Sequence, residues 1–84
     1  MRFEELTLSE VSLLMKREEL HFTYKNYKGD INDRSVRPVR LKFGYSQYHP
    51  SKEPEYFLVG FDKDKQALRE FLVSDILDVV VSLV

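Results

Sequence analysis

The sequence predicts a mainly β domain with one amino-terminal helix, its five short strands curled into a small, strongly bent barrel. Three observations carry this expectation. An apolar stripe at helical spacing follows a capping signature near residue 7, and from Leu20 onward apolar residues alternate with period two. Gly, Pro and Asp then divide the remainder into runs of strand length. The 84 residues make a single domain, with residues 1–19 as helix and lead-in and 20–84 as barrel. A domain this small buries only about 60% of the surface its unfolded chain exposes. Six Phe and five Tyr supply the large side chains that such a core needs.

Thr7 and Glu10 stand three apart, as a capping box requires, with Leu6 and Val11 at the spacing of a hydrophobic staple. Leu8, Val11, Leu14 and Met15 share a stripe, so the helix is expected from Leu8 to about Arg17 and packed on the barrel. Lys16 and Arg17 suit the negative end of its dipole. The first strand buries Leu20, Phe22 and Tyr24 and exposes His21, Thr23 and Lys25. Lys28-Gly29-Asp30 supplies a turn. A second strand is expected from Ser35 to Tyr45, with Arg37, Val39, Leu41 and Phe43 on one face and Arg40 and Lys42 on the other. Pro38 lacks an amide donor, which places it at an edge or a bulge.

Ser46 to Pro54 is irregular. Glu55 to Phe61 reads as the central strand, buried on both faces, and Asp62-Lys63-Asp64-Lys65 as a turn before a return strand from Ala67 to Val73. Ser74-Asp75-Ile76 makes a short turn, and Asp78 to Val84 a closing strand, because Val79-Val80-Val81 is poor helix material. Closure of the barrel would remove exposed strand edges.

The chain has no cysteine, which excludes disulfides and thiolate metal sites and favours a reducing compartment. Glu4 and Glu5 interrupt the amino terminus before any leader-like run, and no apolar stretch approaches the roughly 20 residues of a membrane span. A cytoplasmic location without membrane contact is expected. The net charge is −1, but residues 21–52 carry seven basic and two acidic side chains. A basic middle in a neutral chain favours an anion held locally over tracking along a nucleic-acid backbone. The alternative is that these charges merely alternate on solvated strands.

Five pieces recur in a characteristic order: Leu20-His21-Phe22-Thr23-Tyr24, the turn at Gly29-Asp30, Arg34-Ser35-Val36-Arg37-Pro38, Tyr56-Phe57-Leu58-Val59-Gly60, and Arg69-Glu70-Phe71. Over about two-thirds of the chain this series resembles the WYL-domain family, named for an aromatic-aromatic-Leu triplet. The resemblance implies an Sm-like barrel that binds a ligand, with Arg34, Arg69 and Tyr24 in the pocket. The stretch Arg40-Leu41-Lys42-Phe43-Gly44, with His49-Pro50 after it, is similar to short stand-alone relatives of bacteria and their phages. This chain departs from the family where a second arginine pair often follows: Leu72 and Asp75 stand there instead.

Arg34, Arg37 and Arg40 recur every third residue, and guanidinium groups match phosphate with paired hydrogen bonds. On a regular strand Arg37 faces away from the other two, so one stripe requires a bulge at Pro38. Tyr48 and His49 beside the basic strand suit stacking of a base; the alternative is a loop tucked down by its aromatics. Arg69 can equally form an ion pair with Glu70 or Asp75. Tyr56, Phe57 and Leu58 read as core.

Catalysis has little support. His21 and His49 lie on unrelated elements, no serine stands in a strained elbow, and Asp62-x-Asp64 lacks the rest of a calcium loop. No metal or cofactor is expected. These readings converge on a non-enzymatic module for a nucleotide, cyclic nucleotide or short oligonucleotide, with Tyr24, Arg34, Arg37, Arg40, Tyr48, His49 and Arg69 as ligand-binding residues. It would act in trans as a regulator, or as a sponge for a signal in phage defence. The alternative is a protein-interaction or assembly module, a homo-oligomer included, suggested by the apolar tail Val79-Val80-Val81-Ser82-Leu83-Val84.

Overall fold

The structure, a computed structural model, describes residues 1–47, 49 and 52–81. Helix α1 spans Leu8–Met15, and its capping box forms as expected. The Glu10 amide donates to Thr7 Oγ1 at 3.2 Å, and the Thr7 amide donates to Glu10 Oε1 at 2.9 Å. Leu6 and Val11 both pack on the core. The stripe is narrower than expected. Leu14 is fully buried and Val11 and Met15 half-buried, but Leu8, the first residue of this short helix, is 89% exposed. The helix also ends two residues earlier than Arg17. Arg17 instead donates to the Val80 and Val81 carbonyls, tying the helix exit to the end of the chain's last strand. A single 3-10 turn, Phe3–Glu5, precedes α1 and buries Phe3, which the sequence reading left without a role.

Five antiparallel strands follow: β1 Leu20–Lys25, β2 Ile31–Gly44, β3 Glu55–Asp62, β4 Ala67–Leu72 and β5 Ile76–Val79, in the order β4-β3-β2-β1-β5. β1 alternates as expected, with Leu20, Phe22 and Tyr24 buried. Asn26 shapes the β1–β2 turn by accepting from the Lys28 and Asp30 amides, and Gly29 takes φ +89°. β2 starts four residues before Ser35, since β1 pairs with it down to Lys25 opposite Ile31. Its register against β3 slips between Pro38 and Arg40, the bulge that Pro38 suggested. Cross-strand partners share a face, so the slip changes the expected grouping. Arg37, Arg40 and Lys42 now lie together opposite Phe61, Val59 and Phe57, while Pro38, Leu41 and Phe43 share the other face with Gly60, Leu58 and Tyr56.

β3 lies between β2 and β4, and its residues from Phe57 to Gly60 are buried. Tyr56 does not join them. It is exposed and stacks on Phe43, ring centroids 4.6 Å apart, beyond the reach of the core. Val73–Asp75 form a 3-10 turn at the expected place, but β5 begins at Ile76 rather than Asp78. Ile76 and Val79 are buried and Val80 is exposed; Ser82, Leu83 and Val84 lie outside the described residues.

The sheet is open, which corrects the expectation of a closed barrel. β4 and β5 are its two edges, because the chain leaves β4 in the 3-10 turn before the two strands can pair. Side chains span the gap instead. The Phe71 ring of β4 packs edge-on against Phe22 at 5.2 Å and Tyr24 at 5.1 Å. The Leu72 amide donates to the Tyr24 hydroxyl at 2.9 Å in a buried hydrogen bond.

Two substitutions test this packing. A Cβ on Gly60 would stand 2.2 Å from Val36 Cγ1 and 3.0 Å from the Arg37 carbonyl oxygen. G60A is therefore expected to cost about 1–3 kcal/mol in urea unfolding, and less when combined with V36A. Y24F leaves the buried Leu72 amide unsatisfied and is expected to cost about 1–3 kcal/mol by the same measurement.

Candidate functional site

The gap between β4 and the β1–β2 turn holds a cavity of about 490 Å³. Four of the residues singled out from sequence meet there: Tyr24 from β1, Arg34 from β2, Arg69 from β4 and His49 from the β2–β3 loop. Asn26, Tyr27, Gln47, Glu70 and Phe71 complete the wall, and the sequence reading assigned none of them to a pocket. Asn26 was legible only as part of a turn. Tyr27 is 66% exposed, a large aromatic at the cavity margin whose only signal was its place beside that turn.

Arg34 is held from behind. Its Nη1 lies 3.9 Å from Asp62 Oδ2, and the Asp62 side chain is wholly buried. Asp62 Oδ1 accepts from the Asp64 and Lys65 amides, so the same carboxylate folds the β3–β4 turn and faces the arginine. Arg34 Nε and Asp62 Oδ2 make no hydrogen bond among the described residues. A buried carboxylate facing one guanidinium restrains where that guanidinium sits.

Burial pushes the Tyr24 phenol above its ordinary pKa, and the Asp75 charge acts in the same sense. The Leu72 amide and the Arg34 and Arg69 charges oppose the shift without cancelling it, so the phenol stays neutral beside both arginines. Burial also works to raise the pKa of Glu70. Hydrogen bonds from Lys42 and Ser46, with the Lys42 and Arg40 charges, outweigh it and hold the carboxyl below its ordinary value. Glu70 thus forms its ion pair with Lys42 across the outer face of the sheet.

The remaining candidates lie elsewhere. Arg37 sits over the Phe61 ring at 5.8 Å, beside Glu18 and Lys63. Arg40 borders a neighbouring outer groove with Lys42, which shares Gln47, Arg69 and Glu70 with the cavity. His49 is half-buried, its ring edge-on to Phe57 at 6.3 Å, so one residue of the loop is tucked down while also reaching the cavity. Tyr48 lies outside the described residues. Among the described residues no cluster of three or more His, Asp or Glu could hold a metal ion, and no helix is long and apolar enough to cross a membrane.

A family model of the WYL domain matches residues 11–81, from α1 to just past β5. The chain belongs to the WYL-domain family. No curated protein gives a significant match to it. In this WYL domain the triplet Tyr56-Phe57-Leu58 lies in β3, with Phe57 and Leu58 fully buried. The two motif arginines, Arg34 and Arg69, border one cavity although they come from different strands. At the two positions where the sequence departs from the expected family pattern, Leu72 is buried and Asp75 half-buried at the 3-10 turn.

The Glu70 shift has a definite sign. A depressed carboxyl contributes stability above the ordinary value of about 4.3, and loses it as pH falls through its own lower pKa. K42M removes the hydrogen bond and charge that depress it, so the Glu70 carboxyl is expected to titrate at higher pH in that variant. Carbon-detected NMR titration measures this directly.

Proposed function

We propose that this WYL domain is a non-enzymatic module that binds an anionic ligand in the gap beside β4: a nucleotide, cyclic nucleotide or short oligonucleotide. The observation that carries this reading is the convergence of Arg34 and Arg69 on one cavity with Tyr24 and His49. Guanidinium groups recognise phosphate through paired, charge-assisted hydrogen bonds. The aromatic faces of Tyr27 and His49 at the same cavity suit stacking of a base, which is sequence-tolerant. Family membership supports the reading, since WYL domains are regarded as ligand-binding regulatory domains. Arg37 and Arg40 do not line this cavity; with Lys42 they share the outer face, where the groove of Arg40 adjoins the cavity through Arg69 and Glu70. A regulator acting in trans and a sponge in phage defence would both use this one binding event. Stoichiometric capture with slow release would mark the sponge.

A second reading, an assembly or protein-interaction module without a small ligand, draws on a different surface. Val39, Leu41, Phe43 and Tyr56 are each between 40% and 60% exposed near the end of the β2–β3 hairpin. Such a patch is the kind that partners or further copies cover. Of the tail that also suggested assembly, Val79 is core, Val81 is half-buried and Val80 is exposed.

Native mass spectrometry across a nucleotide panel tests both readings at once. A discrete adduct of nucleotide mass is expected on the wild-type protein. R34A and R69A each remove a charge-assisted contact and are expected to weaken binding by about ten- to a hundred-fold. Unchanged affinity in R69A would show the pocket assignment to be wrong, and a bare oligomer across the whole panel would favour assembly.

A further inference from the structure

Side chains of an extended strand alternate between its two faces. Yet Arg69, Glu70 and Phe71, three consecutive residues of β4, all border the same cavity. A cavity touches three consecutive strand residues when it lies along the strand's edge, where the backbone is presented. β4 has such an edge, since it pairs with β3 on one side and ends the sheet on the other. The Leu72 amide points away from β3, to the Tyr24 hydroxyl. In an antiparallel ladder the outward amides recur at every second residue. Glu70, two residues earlier, therefore directs its main-chain N–H and C=O outward along the same edge, on the side where Tyr24 and the cavity lie.

We propose that this backbone edge at Glu70 reads the base of the bound nucleotide, an inference that rests on the nucleotide reading of the cavity. An outward strand residue presents one donor and one acceptor side by side. A nucleobase carries the complementary pair: in adenine, N1 accepts from the Glu70 N–H while the N6 amino group donates to the Glu70 carbonyl. Arg34 and Arg69 hold the phosphate, and β4 pairs with the base much as it would pair with another strand. The Glu70 carboxylate has a separate task, its ion pair with Lys42. An extended peptide could use the same backbone edge. Two guanidinium groups with aromatic faces at one cavity favour a phosphate joined to a base.

The test uses the isotope-labelled full chain with AMP, N6,N6-dimethyl-AMP and ribose 5-phosphate. On titration with AMP the Glu70 amide signal is expected to move. Dimethyl-AMP, which lacks the donor, and ribose 5-phosphate, which lacks the base, are each expected to bind about tenfold more weakly. E70P removes the amide proton at a position where an edge strand tolerates proline, and E70A, which keeps that proton, is its reference. E70P is expected to bind AMP about tenfold more weakly than E70A. If E70P does not fold, the amide signal and the dimethyl-AMP comparison decide. AMP binding with a stationary Glu70 amide, or with equal affinity in both variants, overturns the edge assignment and leaves the cavity reading intact. No binding of any probed nucleotide by the wild-type protein overturns both.

Discussion

The buried hydrogen bond from the Leu72 amide to the Tyr24 hydroxyl is the one contact on which the arrangement of this domain depends. Among the described residues the backbone ladder ends at β4 on one side and β5 on the other, so no main-chain pairing joins the two edges. A side chain from β1 does so instead, supported by the edge-to-face cluster of Phe22, Tyr24 and Phe71. In a low-dielectric surrounding such a bond is stronger than in water, and its loss is correspondingly costly. The same contact sets the width of the gap. β4 is also tied to β1 through the three-residue 3-10 turn into β5, which pairs with β1. Arg34 and Arg69 border one cavity together with Tyr24.

Much of the fold was legible locally. The capping box at Thr7 and Glu10, the alternation of β1 and the bulge beside Pro38 each follow from the chemistry of a few neighbouring residues. What was not legible depends on distance along the chain. No local signal says that the Tyr24 hydroxyl will meet the amide of Leu72; closure of the barrel was expected from five short strands, from the need to remove their edges and from the family resemblance. The bulge was foreseen, but its effect on side-chain direction follows from the register of β2 against β3, so Arg37 was grouped with the wrong face. Arg34, Arg69, Tyr24 and His49 were found through a family pattern and a basic, aromatic-rich stretch. Asn26, Tyr27 and Gln47 carry no such pattern, and only the folding of two loops toward β4 brings them to the same wall.

Asp62 joins the β3–β4 turn to the wall of the cavity. Its buried carboxylate organises the β3–β4 turn with one oxygen and faces Arg34 with the other. An isolated buried charge would be expensive, and the arginine offsets it. The guanidinium gains a fixed position at the cavity from the same arrangement. The β3–β4 turn and the place of Arg34 at the cavity are thereby coupled through a single side chain.

The slip between Pro38 and Arg40 has a consequence for how this domain can diverge. Because one surplus residue in β2 decides which side chains point outward beyond that place, loss or gain of a single codon there would exchange the two surfaces of the distal hairpin. A cationic exterior would become an oily one, with no amino acid altered in kind. Among related chains, surface character here should therefore follow the reading length of this strand more closely than its composition.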